Sequence, residues 1–79
     1  AMGTGFIIRA DGHIITNNHV IEGADVIKVQ LDVNTNKFFE AQVIGRDART
    51  DIALIKIDAK RTLPVAPLGN SSTVQVGEW

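Results

Sequence analysis

The amino-acid sequence predicts an all-β protein, and two features indicate this. β-branched and aliphatic residues occur in short runs, which suit strands better than helices. Glycine, asparagine, aspartate and proline separate these runs, as expected of turns. We therefore expect a series of short antiparallel strands in one small domain.

The first strands are predicted to form a hairpin. Thr4 to Ala10 reads as a strand, Asp11-Gly12 as a two-residue turn, and His13 to Thr16 as the returning strand. The alternation then stops, and residues 19–22 suit a single helical turn that Gly23 closes. This turn carries the first histidine of interest, His19.

A second hairpin follows from alternating apolar and polar residues. Val26 to Leu31 and Lys37 to Ile44 read as its strands, and residues 34–36 as its turn. The alternation places three apolar side chains on one face of the second strand: Phe39, Ala41 and Val43.

The run from Ile52 to Ile57 is almost continuously apolar. This pattern predicts the core strand, either buried on both faces or lying inside a closed barrel. From Leu63 onward, two prolines and residues 69–72 predict a loop, and Val74 to Val76 predict a last short strand.

Composition excludes several classes of function. The chain has 79 residues and no cysteine, so disulfides and thiolate metal sites are ruled out, and its two histidines make a weak case for any metal or cofactor. A net charge of −1 with interspersed signs provides no basic stripe for nucleic acid. No apolar run approaches the roughly 18–20 residues of a membrane span.

The two ends predict that the chain is a segment of a longer protein. Ala1-Met2 reads as a cut point and no signal-peptide pattern follows it. The chain stops at Gly77-Glu78-Trp79 with no polar tail. We expect residues 1–79 to be one barrel-forming segment.

His19 and Asp51 are the candidate catalytic residues. His19 follows an apolar strand and two asparagines, and Asp51 directly precedes the core strand. Each alone has a simpler reading, as a structural histidine or as a turn-forming acid. Together they read as two thirds of a Ser-His-Asp triad, in which the aspartate fixes the tautomer of a histidine acting as general base.

The sequence does not contain the third member in its usual setting. No Gly-x-Ser-Gly-Gly segment occurs, and Ser71-Ser72 is followed by Thr73 where the small residues of an oxyanion-binding turn would be needed. We interpret Ser71 and Ser72 as a surface turn. His13, directly after the predicted turn, is expected to be solvated and to have no role in the site.

As a set, four motifs closely resemble the N-terminal part of the protease domain of the HtrA (DegP/DegQ-like) serine proteases. They are Gly3-Thr4-Gly5-Phe6-Ile7-Ile8, residues 11–21 from Asp11 through Thr16-Asn17-Asn18-His19-Val20 to Ile21, residues 49–56 around Thr50-Asp51-Ile52-Ala53-Leu54, and Leu68-Gly69-Asn70-Ser71-Ser72. The match is collinear over nearly the whole chain.

The resemblance implies a trypsin-like fold of two β-barrels, of which this chain supplies the first. It implies that His19 is the general base and Asp51 the residue that orients it, and that a second barrel supplies the serine. Members are ATP-independent endopeptidases that cut unfolded or damaged proteins outside the cytoplasm, which suggests a bacterial periplasmic protein. They are usually trimers whose protease domains precede PDZ domains. Without a nucleophile, the chain alone is expected to be inactive.

Two alternatives remain open at this stage. The first is a stand-alone small β-barrel that acts as a binding module, although no basic and aromatic sheet face supports it. The second is self-association, because the loss of a second barrel would leave an apolar face and possible strand edges uncovered.

Overall fold

The computed structural model describes residues 2–31, 37–59 and 73–78. These residues form six strands and one helical turn. In chain order they are β1 (Met2–Ile7), β2 (His13–Asn17), α1 (Asn18–Ile21), β3 (Ile27–Gln30), β4 (Phe38–Asp47), β5 (Ile52–Ile57) and β6 (Thr73–Gly77). The predicted all-β class is confirmed.

The six strands close into one antiparallel barrel in the order β1-β2-β5-β4-β3-β6. The last strand completes the closure, since β6 pairs with both β1 and β3. Each described strand therefore has a neighbour on both sides, although β3 pairs with β4 only over residues 38–41. Closure of this kind removes most of the free edges of a sheet.

The first hairpin turns earlier than predicted. β1 ends at Ile7 instead of Ala10, and the turn spans Arg9–Gly12, where the Gly12 N–H donates to the Arg9 carbonyl at 3.1 Å. The Ile8 N–H then donates to the His13 carbonyl at 2.9 Å. The loop therefore has four residues, and the prediction of a two-residue Asp11-Gly12 turn was wrong.

Gly12 explains the longer loop. Its φ of 109° lies in a region that favours glycine, and its carbonyl accepts a 3.0 Å hydrogen bond from the Ile57 N–H. A Cβ atom at Gly12 would stand only 2.1 Å from the Ile57 carbonyl oxygen. The turn is thus shaped by its close approach to the end of β5, which no local pattern reveals.

The core fills the barrel interior. Ile14, Val29, Ile55 and Val76, from four different strands, are each 0% exposed. Along β5 the burial alternates, so Ala53, Ile55 and Ile57 point inward while Ile52 is 47% exposed. The prediction of a core strand is confirmed in its closed-barrel form.

β4 extends to Asp47, three residues beyond the predicted end at Ile44. Phe39, Ala41 and Val43 lie on one face of β4 by register, as predicted. Only Phe39 and Ala41 pack against the core, whereas Val43 is 44% exposed. A bulge between Val43 and Gly45 interrupts the ladder with β5 there. The predicted turn at 34–36 and the predicted loop from 63 to 72 lie outside the described residues.

Candidate active site

α1 presents His19 at one end of the barrel. Asn18, Val20 and Ile21 are buried, whereas the His19 side chain is 65% exposed. The Glu22 N–H donates to the Asn18 carbonyl at 2.9 Å and ends the turn, one residue earlier than predicted. The apolar neighbours anchor the turn, and the imidazole is left accessible.

Asp51 reaches this turn through the pairing of β2 with β5. The ladder places Ile52 opposite Asn17, which brings the residue before β5 next to the start of α1. Asp51 has a φ of +59°, a left-handed conformation that aspartate tolerates better than most residues. Its carbonyl accepts a 2.9 Å hydrogen bond from the Asn18 N–H.

The Asp51 carboxylate holds His19 at two points. Oδ2 lies 2.6 Å from His19 Nδ1, and Oδ1 accepts a 2.8 Å hydrogen bond from the His19 backbone N–H. With the Nδ1 proton donated to the carboxylate, the neutral ring carries its lone pair on Nε2. This is the arrangement that a histidine needs to accept a proton from a nucleophile.

The hydrogen bond from the His19 side chain, followed by the one from its backbone N–H, holds the pKa of Asp51 below the ordinary 3.8. Both bonds favour the charged carboxylate. Asp51 is therefore ionised at neutral pH, and it can stabilise a positive charge that develops on the imidazole.

A second histidine–aspartate pair lies at the opposite end of β2. His13 Nδ1 is 2.6 Å from Asp11 Oδ1, and Arg9 approaches Asp11 Oδ2 at 3.5 Å. The His13 side chain is only 18% exposed, so the expectation of a solvated residue was wrong. Its partner is two residues away across the turn, a spacing that could have revealed the pair.

Sequence reasoning also missed the side chain of Asn17. Its Nδ2 donates to the Asp51 carbonyl at 3.2 Å, so the residue before α1 touches the backbone of the candidate orienting residue. The available signal was the pair of asparagines, Asn17 and Asn18, before the predicted helical turn, which suggests an N-cap and not this contact.

Other features fall outside the site. Within the ranges that the structure describes, no three histidine, aspartate or glutamate side chains are grouped as metal ligands would be. The same residues include no helix of a length and apolarity that would let it cross a membrane. Ser71 and Ser72 lie outside the described residues, and their reading as a surface turn stays a prediction.

Comparison with known proteins agrees with the resemblance. The profile of the trypsin-like peptidase domain family matches residues 3–79. Proteins named probable periplasmic serine endoprotease DegP-like are similar over all of this chain, with 56% identity in Pseudomonas savastanoi pv. phaseolicola, 48% in a Marinomonas species and 47% in Halomonas elongata. The chain spans 16% of the length of each of these relatives.

Proposed function

We propose that this chain, which belongs to the trypsin-like peptidase domain family, supplies the general base, His19, and its orienting carboxylate, Asp51, to a serine endopeptidase. The observation that carries the proposal is the 2.6 Å contact from Nδ1 to Oδ2, which leaves Nε2 as the basic nitrogen. The 65% exposure of the His19 side chain leaves it accessible to a nucleophile from another part of the protein.

In this mechanism Nε2 takes the proton of a serine hydroxyl as the oxygen attacks the scissile carbonyl. The imidazolium then gives that proton to the leaving amine, and an acyl-enzyme remains. A water molecule repeats the sequence, passing its proton to His19, and releases the acid and the serine. Asp51 stays ionised throughout, since its pKa lies below the ordinary value.

The wider assignment is an ATP-independent, HtrA-type peptidase that degrades unfolded or damaged proteins in the bacterial periplasm. The names of the relatives support a periplasmic serine endoprotease. Residues 1–79 are then the first of two barrels, and the serine and the substrate pocket belong to the second. Because no Gly-x-Ser-Gly-Gly segment occurs in the chain, we expect no proteolysis from it alone.

A segment exchange tests this proposal. Residues 3–79 replace the matching segment of the Pseudomonas savastanoi relative, to which the chain is 56% identical, and the chimera is assayed on an unfolded protein such as reduced casein. We expect cleavage by the chimera. Asp51→Asn should lower kcat by about 10⁴-fold and His19→Ala by about 10⁶-fold, because the first misorients the base and the second removes it.

His13→Ala is the matched control, since His13 is also paired to an aspartate at 2.6 Å but lies at the other end of β2. It should retain activity close to that of the chimera. Loss of activity in His13→Ala equal to that in His19→Ala, or full activity without His19, would contradict the assignment.

Self-association is a second candidate, favoured by one observation. Eight large apolar side chains are exposed on the described surface: Met2, Phe6, Ile8, Val26, Phe38, Val43, Ile44 and Ile52. Where such side chains form a contiguous patch, they favour association between copies. Light scattering coupled to size exclusion, with amide exchange of β5, would show a discrete oligomer with a protected core, whereas a monomer at every concentration would rule this candidate out.

A further inference from the structure

Asn17 occupies the N-cap position of α1 but does not cap it. Its φ of −84° and ψ of 140° are those of an N-cap residue, yet its side chain makes no capping hydrogen bond. Asparagine is among the best N-cap residues because its side-chain oxygen accepts a free N–H of the first turn. The Asn17 side chain therefore does not make the local hydrogen bond that is usual at this position.

The Asn17 amide is used across the barrel instead. Nδ2 donates to the Asp51 carbonyl at 3.2 Å, and a carbonyl oxygen can only accept, which identifies the nitrogen as the facing atom. The same carbonyl accepts the Asn18 N–H at 2.9 Å. The last residue of β2 and the first residue of α1 therefore donate to one backbone oxygen.

The oxygen they hold belongs to a residue in an uncommon conformation. Asp51 has a φ of +59°, which persists in a residue other than glycine only where its surroundings hold it. The direction of the Asp51 carboxylate depends on this backbone conformation. His19 bonds the Asp51 carboxylate at 2.6 and 2.8 Å. Three consecutive residues, 17–19, therefore hydrogen-bond to the backbone and the side chain of Asp51.

We propose that Asn17 is a positioning residue, which acts through the Asp51 backbone to keep the carboxylate aligned with His19. Its amide bonds the Asp51 carbonyl and not the imidazole. In this arrangement α1 has no side-chain N-cap hydrogen bond. A side chain at position 17 that caps α1 but has no amide should therefore separate the effect on the stability of α1 from the effect on the alignment of the Asp51 carboxylate with His19.

Asn17→Ser is the decisive variant. Serine is a good N-cap residue but has no amide to donate to the Asp51 carbonyl. We expect thermal stability to remain close to that of the unmodified chain, while the NMR titration midpoint of the Asp51 carboxyl carbon rises toward its ordinary value. Asn17→Gln keeps the amide on a longer side chain and should restore part of the difference. Gln42→Ser, which removes an exposed amide from β4, is the matched control and should change neither quantity.

The activity measurement rests on the proposed function and uses the chimera described above. There Asn17→Ser should lower kcat by roughly 10- to 100-fold with little change in KM, because the base is misaligned and not the substrate. If the chimera with the unmodified segment is inactive, the proposed function fails, and the titration of Asp51 in the chain still decides the role of Asn17.

Two results would overturn the role of Asn17. One is an Asp51 midpoint that does not move in Asn17→Ser. The other is a change in midpoint accompanied by an equal loss of stability in both Asn17→Ser and Asn17→Gln, which would mark Asn17 as a structural residue only.

Discussion

At the scale of single residues, two aspartates depend on a histidine partner. His19 holds the pKa of Asp51 below its ordinary value through hydrogen bonds, and His13 does the same for Asp11. A carboxylate whose pKa is lowered by folding stabilises the native state above the pKa it has when unfolded. That stabilisation is lost as the pH falls through the lower, folded-state pKa.

The sign of this effect gives a prediction for acid stability. The unmodified chain should lose stability as the pH falls below the ordinary aspartate pKa of 3.8, and the Asp11→Asn, Asp51→Asn double variant should lose less over the same range. Urea midpoints measured at neutral pH and at successive acid values test this. Asp25→Asn, at an exposed position with no histidine partner, should keep the slope of the unmodified chain, and an unchanged slope in the double variant would contradict the prediction.

At the scale of elements, the β1–β2 hairpin is fixed by the end of β5. Gly12 combines a φ of 109° with a carbonyl that accepts the Ile57 N–H at 3.0 Å. His13, which follows it, pairs with Lys56 in the ladder between β2 and β5. The turn therefore joins β1 to β2 and also bonds to the end of β5, so local turn preferences alone do not set its geometry.

Gly12→Ala should destabilise the barrel by about 2–3 kcal/mol, because the new Cβ would lie 2.1 Å from the Ile57 carbonyl oxygen and the positive φ disfavours alanine. Gly45→Ala is the control, since apart from its own chain neighbours no atom of the described residues lies within 4 Å of a Cβ at that position. Thermal or urea unfolding of the two variants measures the difference. Equal losses in both would show that the contact with Ile57 does not matter.

At the scale of the whole molecule, the strands that close the barrel also supply the side chains of its core. Each of the strands β1, β2, β3, β5 and β6 contributes residues to the buried cluster, and β4 adds two partly buried side chains. Residues that alternate along a strand meet opposite environments, inside the barrel or on its outer surface. Ile55 and Ile52 show the contrast within β5, at 0% and 47% exposure.

This contrast predicts unequal costs for the same substitution. Ile55→Val removes one methylene from the closed core and should cost roughly 0.5–1.5 kcal/mol. Ile52→Val, at an exposed position of the same strand, should cost less than about 0.5 kcal/mol. Chemical denaturation of both variants tests the prediction, and similar values would mean that the barrel interior is not packed as described.

Much of the fold and the candidate pair followed from local patterns. Alternating apolar residues predicted where the strands lie, although β1 and β4 end elsewhere than expected. The resemblance of the motifs around His19 and Asp51 predicted the family, and comparison with known proteins confirmed it. Their catalytic roles stay a prediction that the segment exchange will test.

The sequence by itself determined the all-β class, the core strand and the two residues of the candidate dyad, because side-chain alternation and motif spacing are written along the chain. Only the tertiary structure decided the four-residue turn at Gly12, the exposure of Val43 and the hydrogen bond from Asn17 to the Asp51 carbonyl. These features depend on neighbouring strands that are distant in sequence. Contacts between such strands exist only once the barrel has closed.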